Sequence, residues 1–257
     1  MRVKKAVMAL GAFLVAGIIA VTVSCVIAPE KGVPILAYHS IDNDDGTYSV
    51  SPVEFEQQMQ YLKEQGYTAI SLLEFAKAKK GKFVLPEKPI IITFDDGYAN
   101  NYTTAMPIME QYGMKGTVFM VVNDIGKDET YFTLEQLKDW QAHHMEIGSH
   151  TANHVPLATL SSEQKKEEIF ASKILMEWKG LNTVFFLAYP FGSFDAESEA
   201  LLKENEYLGA LTGKSGLNTF DTNPYLLHRV NVPNPRLGLT EFKLRLLKAN
   251  VYTRLGM

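Results

Sequence analysis

This sequence of 257 residues has only one cysteine, no low-complexity tract and no excess of basic residues. The single cysteine, Cys25, excludes an internal disulfide and any metal site built from cysteine, so a bound metal would need His, Asp or Glu ligands. With 18 glycines and 11 prolines the chain is not collagenous. The 25 Lys and Arg residues stand against 29 Asp and Glu residues, which leaves no electrostatic footprint for nucleic acid.

The one long uncharged run lies at the N-terminus, where three basic residues within the first five precede residues 6–29. This pattern predicts a signal or anchor segment over residues 1–30. At ~1.5 Å per residue, residues 6–29 could reach ~36 Å, enough to cross a hydrocarbon core of ~30 Å. An uncleaved membrane anchor, a lipoprotein processed at Cys25 and a released form are the alternatives. Each places the rest of the chain outside the cytoplasm.

After this segment, residues 31–257 are predicted to form one domain in which short apolar runs alternate with helical patterns. The candidate strands are Ile35–Tyr38, Ala69–Ile70, Ile90–Phe94, Thr117–Val121, Glu146–Ser149, Thr183–Tyr189 and Leu208–Thr212. Strand followed by helix, repeated about seven times, indicates an α/β fold with a parallel sheet. At this length we expect a closed barrel with a reduced number of strands.

Four of the intervening segments begin with the sequence signature of a helix N-terminus. Ser51, Ser71, Thr133 and Ser161 are each followed three residues later by Glu or Gln. In this arrangement the Ser or Thr side chain and the Glu or Gln side chain satisfy two otherwise unpaired amides. We therefore expect a helix to start at each of the four positions.

Reactive side chains follow three of the predicted strands. Asp95 and Asp96 come directly after Ile90–Phe94, His150 comes after Glu146–Ser149, and His39 comes after Ile35–Tyr38. In an α/β barrel all strand C-termini open on one face, and that face holds the active site. These distant segments are therefore expected to meet.

Adjacent carboxylates repel each other, and a bound cation would relieve the repulsion between Asp95 and Asp96. His150 and His154 are four residues apart, and we expect them on one face of a helical turn where they could share a metal. Together with Asp96 they supply two nitrogens and one oxygen, the open arrangement of a catalytic zinc. The simpler alternative is that Asp95 and Asp96 form an ordinary turn, and that His150 and His154 are unrelated surface residues.

Three motifs then follow in order: residues 93–98 (TFDDGY), 149–154 (SHTANH) and 189–192 (YPFG). Together they resemble the polysaccharide deacetylases of carbohydrate esterase family 4, the NodB-homology enzymes, over roughly residues 33–235. The resemblance implies a distorted (β/α)7 TIM-like barrel, and a metal-dependent hydrolase that removes acetyl groups from N-acetylated sugars.

The resemblance also implies roles for individual residues. Asp96, His150 and His154 would hold a divalent metal, most commonly zinc, with cobalt and nickel as alternatives. Asp95 would be the general base that takes a proton from the attacking water. The amide of Phe191 would stabilise the oxyanion.

Two further residues are implied for the substrate-binding surface. Pro190 would fix the turn that carries the Phe191 amide, and Tyr98 closes the first motif. The ring of Phe191 could also pack on a sugar face.

A general acid must protonate the leaving amine, and two histidines are candidates. Residues 36–39 (LAYH) look like the corresponding motif of the circularly permuted subgroup, which includes poly-N-acetylglucosamine deacetylases, and this favours His39. His228 is the alternative. The arginine that often opens the third motif is missing, and Ala188 stands near its place. We predict that Arg229 supplies the positive charge beside Asp95 instead.

The expected function is removal of acetyl groups from N-acetylglucosamine units of a cell-envelope or extracellular polysaccharide, such as peptidoglycan, poly-N-acetylglucosamine or a chitin-like polymer. The N-terminal segment would bring the enzyme to the membrane, near such substrates. The alternatives are an esterase for O-acetylated, xylan-like chains and a non-catalytic carbohydrate-binding protein of the same fold.

Overall fold

The computed structural model describes residues 32–256. The predicted signal or anchor segment 1–30, with Cys25, therefore lies outside the described residues. Within residues 32–256 no helix combines the length and the apolar character that crossing a bilayer requires.

Ten strands occur in the described part of the chain, and most of them form one parallel sheet. They are β1 (Ile35–Tyr38), β2 (Ser40–Ile41), β3 (Ser49–Val50), β4 (Thr68–Ala69), β5 (Pro89–Phe94), β6 (Thr117–Met120), β7 (Glu146–Ser149), β8 (Phe186–Ala188), β9 (Gly209–Leu211) and β10 (Val230–Asn231). The main sheet has the order β10-β1-β5-β6-β7-β8-β9, with β4 paired to β5 at the side. Strands β2 and β3 pair with each other separately.

The sheet curls into a ring because the segment that leads into β10 contacts both of its edges. Leu227 donates its amide to the carbonyl of Ala210 (2.9 Å) and forms a parallel bridge with Leu211 of β9. Three residues later, Val230 of β10 pairs with Leu36 of β1. The fold is therefore the expected α/β type, a distorted barrel of seven parallel strands.

One of the seven strands is not the one that the sequence predicts. The candidate Ala69–Ile70 corresponds to β4, which pairs only with Pro89 and Ile90 at the start of β5. The seventh position in the ring belongs to β10 instead. The candidates Thr183–Tyr189 and Leu208–Thr212 are longer than the strands in the structure, since regular pairing is confined to β8 and β9.

Seven α-helices surround the sheet in the described residues. They are α1 (Pro52–Glu64), α2 (Leu72–Lys79), α3 (Met106–Gln111), α4 (Leu134–Ala142), α5 (Ser162–Trp178), α6 (Ala196–Glu204) and α7 (Leu239–Leu255). The four predicted N-caps are confirmed, at Ser51, Ser71, Thr133 and Ser161. The last three form complete capping boxes, and such caps typically contribute about 1 kcal/mol each.

Side chains alternate along the strands between two apolar clusters. Ile35, Ile91 and Phe119 belong to the smaller cluster, which also contains Leu72 and Phe75 of α2. Because successive strand residues point to opposite faces, their neighbours Leu36, Ile92 and Val118 face the other way and join the larger cluster with the surrounding helices. Helix α2 therefore covers the barrel end at which the strands begin, and the opposite end stays open.

Glu146 fastens this covering helix to the barrel. Its carboxylate accepts hydrogen bonds from the amides of Leu72 (3.0 Å) and Leu73 (3.2 Å) in the first turn of α2, and from the hydroxyl of Thr117 (3.0 Å). Burial raises the pKa of Glu146 to about 7 despite these donors.

This raised pKa predicts a pH-dependent stability. A carboxyl group with a higher pKa in the folded than in the unfolded chain contributes stability below its ordinary pKa, and the contribution is lost as the pH rises toward 7. The free energy of unfolding of the wild type should fall by about 3 kcal/mol between pH 4.5 and 8 relative to Glu146→Gln. Urea unfolding across this range measures the difference, with the exposed Glu135→Gln as control. A parallel pH dependence in wild type and Glu146→Gln would contradict the assignment.

Candidate active site

Three predicted metal ligands lie together at the open end of the barrel. Oδ1 of Asp96 is 3.5 Å from Nε2 of His150 and 3.3 Å from Nε2 of His154. The donor atoms of all three residues lie within 4.8 Å of one another. Asp96 follows β5 and His150 follows β7, so the barrel brings the two segments to one point.

The backbone around these ligands is unusual. Asp96 (φ 70°), Thr151 (φ 67°) and His154 (φ 55°) all adopt left-handed conformations, which cost about 1–3 kcal/mol for residues other than glycine. Gly97 (φ 76°) follows Asp96, and a Cβ atom there would lie 2.4 Å from the side chain of Met120. The expected helical turn from His150 to His154 is therefore wrong, since an irregular loop with left-handed residues brings the two rings together.

The ligand atoms fit a divalent cation such as zinc. Nδ1 of His150 donates a hydrogen bond to the carbonyl of Ala188 (2.7 Å), which fixes the tautomer whose Nε2 lone pair faces Asp96. His150 is buried, whereas His154 keeps a third of its side chain exposed. Two imidazole nitrogens and one carboxylate oxygen, with one side open to solvent, are the donor set of a catalytic zinc site.

Asp95 lies beside this cluster and is paired with Arg229. Nη1 of Arg229 donates to Oδ1 of Asp95 (2.7 Å), and both side chains are buried. Arg229 also donates through Nε to the carbonyl of Thr212 (3.0 Å), which fixes its direction. Burial alone would raise the pKa of Asp95, but the Arg229 guanidinium together with His150 and His39 outweighs burial and holds this pKa below its usual range. The predicted contact between Arg229 and Asp95 is present.

The second carboxylate oxygen of Asp95 faces His39. Nε2 of His39 is 4.0 Å from Oδ2 of Asp95, and the ring of Tyr48 lies 4.6 Å from the His39 ring. Asn101 donates to the His39 carbonyl (2.7 Å) and so holds the backbone at the end of β1. Burial lowers the pKa of His39. Among the described residues, the buried Nδ1 of His39 has no hydrogen-bond partner.

The alternative acid, His228, lies elsewhere. It lines a separate depression with Lys214, Ser215 and Tyr252. Burial and the charge of Lys214 lower the pKa of His228, and neither Asp95 nor Asp96 acts on it. The geometry therefore favours His39 over His228.

The residues predicted for the substrate-binding surface surround the ligand cluster. Phe191 is 73% exposed, has a left-handed backbone (φ 57°), and places its ring 4.7 Å from the ring of His154. Pro190 is buried beneath it. On another side, Tyr98 stacks on Tyr131 with ring centroids 6.0 Å apart. Burial and the nearby Asp96 carboxylate raise the pKa of Tyr98 to about 12.

Two residues that contact the site could not be predicted from the sequence. Tyr48 covers His39 from an irregular segment that carries no recognisable motif. Glu168 lies on α5, where the charged pattern of the sequence predicts exposure, yet it is buried against the loop between His150 and His154. The sequence could have singled out Glu168 only by showing that position 168 lies on the buried face of its helix.

Comparison with known proteins supports the resemblance seen in the sequence. The family model described as polysaccharide deacetylase matches residues 83–210. YxkH of Bacillus subtilis, which is named as a polysaccharide deacetylase, is 35% identical to this chain over 204 residues, or 79% of this chain and 72% of YxkH. The poly-β-1,6-N-acetyl-D-glucosamine N-deacetylase of Staphylococcus epidermidis is 28% identical over 73% of this chain and 69% of its own length.

Solved structures match as well. The Streptococcus pyogenes deacetylase PplD, solved in complex with acetate, has a TM-score of 0.76 at 25% identity over 86% of this chain and 98% of PplD. BC0361, a polysaccharide deacetylase from Bacillus cereus, has a TM-score of 0.74 at 28% identity over 84% of this chain and 69% of BC0361. IcaB from Ammonifex degensii, at 22% identity and a TM-score of 0.76, shares the fold.

Proposed function

Because the chain belongs to the polysaccharide deacetylase family of carbohydrate esterase family 4, we propose that it is a metal-dependent N-deacetylase of a polysaccharide containing N-acetylglucosamine. The observation that carries this proposal is the cluster of Asp96, His150 and His154 beside the buried pair of Asp95 and Arg229. A binding protein without activity would have no need for a carboxylate kept ionised next to three metal ligands.

In this proposal Asp96, His150 and His154 hold the metal. When bound, a divalent cation lowers the pKa of water toward ~7 and polarises the acetyl carbonyl. The Ala188 carbonyl holds the proton of the neutral His150 ring on Nδ1, so Nε2 is the nitrogen that would bind the metal. Zinc suits two imidazoles and a carboxylate, and cobalt and nickel remain alternatives.

Asp95 and His39 divide the proton transfers between them. Asp95, held ionised by Arg229, takes a proton from the water that attacks the acetyl carbon. His39 donates a proton to the sugar nitrogen as the carbon–nitrogen bond breaks, so that acetate and an amine leave. Asp95 lies between Arg229 and His39, with one oxygen toward each. The base and the acid are therefore close enough together for both proton transfers to take place at one acetyl group.

Phe191 and Tyr98 complete the proposed site. The amide of Phe191, in the turn started by Pro190, stabilises the negative charge on the acetyl oxygen. The exposed ring of Phe191 offers an apolar surface for a sugar face. Tyr98, next to Asp96, stacks on Tyr131 and adds a second aromatic surface.

The choice of an N-acetylglucosamine polymer follows the S. epidermidis relative, which is named for that substrate. We expect the chain to work outside the cytoplasm, joined to the membrane by residues 1–30, by a lipid on Cys25, or released. A tether would raise the effective concentration of the enzyme near envelope polysaccharides.

Acetate release tests the proposal. The full chain, purified in mild detergent and loaded with zinc, is incubated with peptidoglycan, poly-N-acetylglucosamine, chitin oligomers and acetylxylan. We expect acetate from at least one N-acetylated polymer and little from acetylxylan. Thorough chelation should abolish release, and added zinc should restore it.

Each other outcome identifies an alternative. Acetate from acetylxylan alone would make the protein an esterase for O-acetyl groups. Binding of a polymer without acetate release from any of the four would indicate a carbohydrate-binding protein. Full activity after chelation would contradict the metal assignment.

His39→Ala should lower the rate of acetate release by ~10²–10⁴ while zinc content stays at the wild-type level. The imidazole lies near Asp95 and is not among the three clustered ligands, so its loss removes a proton donor only. Rate measurements with zinc analysis on the same samples test this, with His228→Ala as the matched control. A larger loss in His228→Ala would transfer the acid role to His228.

A further inference from the structure

Helix α5 contacts the loop that carries two of the three proposed metal ligands. Oε2 of Glu168 accepts hydrogen bonds from the amides of Ala152 and Asn153, both at 2.9 Å. Its Oε1 accepts a third from Nδ2 of Asn153 at 2.6 Å. Glu168 is only 8% exposed, so a charged side chain has been buried to make these contacts.

The same helix face holds the loop at a second point. Ser172, one turn after Glu168, accepts a hydrogen bond from Ser149 (2.8 Å). The Ser149 hydroxyl in turn accepts from the amide of Thr151 (3.1 Å). The amides of three successive loop residues, 151–153, are thus all bound by side chains.

The loop carbonyls are held from the opposite side. The amides of Val122 and Asn123 donate to the carbonyls of Thr151 (3.2 Å) and Ala152 (3.1 Å). We call the hydrogen bonds to the amides of residues 151–153 and to the carbonyls of Thr151 and Ala152 the loop clamp. This clamp explains how the loop keeps two left-handed residues other than glycine, Thr151 and His154. Such a conformation persists only where the surroundings impose it.

His154 depends on this clamp more than the other ligands do. His150 has its own support, because Nδ1 bonds to the Ala188 carbonyl. His154 is partly exposed, and its ring contacts Phe191, His150 and Asp96. Its place relative to Asp96 is therefore set mainly by the backbone of residues 151–153.

We propose that Glu168 is a positioning residue for the metal site, and that its carboxylate sets the affinity for the metal by fixing the loop that presents His154. This inference rests on the proposed function. Removing a group that orients a metal ligand without binding the metal itself typically changes metal affinity by 10–100-fold. Glu168→Ala, which leaves three donors unpaired, should weaken zinc binding by that factor. Glu168→Gln keeps one carbonyl oxygen for the two amides and should weaken it less.

The measurement is the zinc dissociation constant of the full chain in mild detergent, obtained by competition with a chromophoric chelator. Glu167→Gln removes the same charge from an exposed neighbour on α5 and should bind zinc like the wild type. Circular dichroism of each metal-free variant shows whether it is folded. At saturating zinc, Glu168→Gln should regain acetate release close to the wild-type rate, because only metal occupancy was lost.

A double variant separates positioning from a general structural role. If Glu168 acts through His154, Glu168→Gln should weaken zinc binding in the wild type but have little further effect in His154→Ala. An equal effect in both backgrounds, or wild-type affinity in folded Glu168→Gln and Glu168→Ala, would overturn the proposal. Should either variant not fold, Asn153→Ala allows the same comparison, because it removes the 2.6 Å bond to Glu168 and the 2.7 Å bond from Nδ2 of Asn123 but keeps both backbone amide bonds to Glu168. A wild-type chain that binds no zinc would refute the proposed function instead.

Discussion

Asp95→Asn should lose acetate release by about 10²–10⁴-fold and still bind zinc with nearly wild-type affinity. Asparagine keeps the size of the side chain and an oxygen that can accept the hydrogen bond from Arg229, but it cannot take a proton from water. Asp95 is not one of the three clustered ligands, so the metal site should survive. Rates at saturating zinc and the zinc dissociation constant are the two measurements.

The variant also leaves a buried guanidinium opposite a neutral group, so its folding must be checked by thermal unfolding. Asp221→Asn is a suitable control, because it makes the same change at an exposed carboxylate that is not part of the ligand cluster. If Asp95→Asn retained more than about a tenth of the wild-type rate, Asp95 would not be the base. If it lost zinc as well, Asp95 would belong to the metal site.

His150→Ala should reduce zinc affinity by more than about 10²-fold and abolish acetate release at ordinary zinc concentrations. Changes to groups that only orient a ligand already cost 10–100-fold, and His150 supplies a ligand atom itself. Its buried ring also fills space between β7 and the Ala188 carbonyl. Equilibrium dialysis against zinc, followed by metal analysis, measures the loss.

His143→Ala is the matched control for this variant. His143 ends α4 at the surface, with 42% of its side chain exposed, and it is not part of the ligand cluster. Its substitution should change neither zinc content nor rate. Wild-type zinc affinity in a folded His150→Ala protein would mean that the three side chains do not hold the metal together.

The parts of the fold that could be predicted are those encoded by local sequence. The apolar run Ile90–Phe94 and the caps at Ser71 and Thr133 depend on neighbouring residues, and the structure has a strand and helices there. Strand β10 could not be predicted because Val230–Asn231 is short and half polar. It becomes a strand only because Leu36 and Ala37 of β1 lie beside it, some 190 residues earlier in the chain.

The site likewise has a part that local sequence predicts and a part that distant contacts determine. Asp96, His150 and His154 could be singled out because each lies within a few residues of a strand end. The left-handed backbone that brings His154 to Asp96 could not, since it is imposed by hydrogen bonds that the loop amides donate to Glu168 and that the loop carbonyls accept from Val122 and Asn123.

The closure of the ring by its first and last strands has a consequence for synthesis. A ribosome makes Asp95 and both ligand histidines well before Arg229, which lies just ahead of β10. Until that segment emerges, Asp95 has no guanidinium to balance its charge, and β1 lacks a neighbour on one side. We therefore expect a nascent chain to lack the Asp95–Arg229 pair until residue 229 has been made, and a chain that stops before residue 227 to lack the ring closure as well.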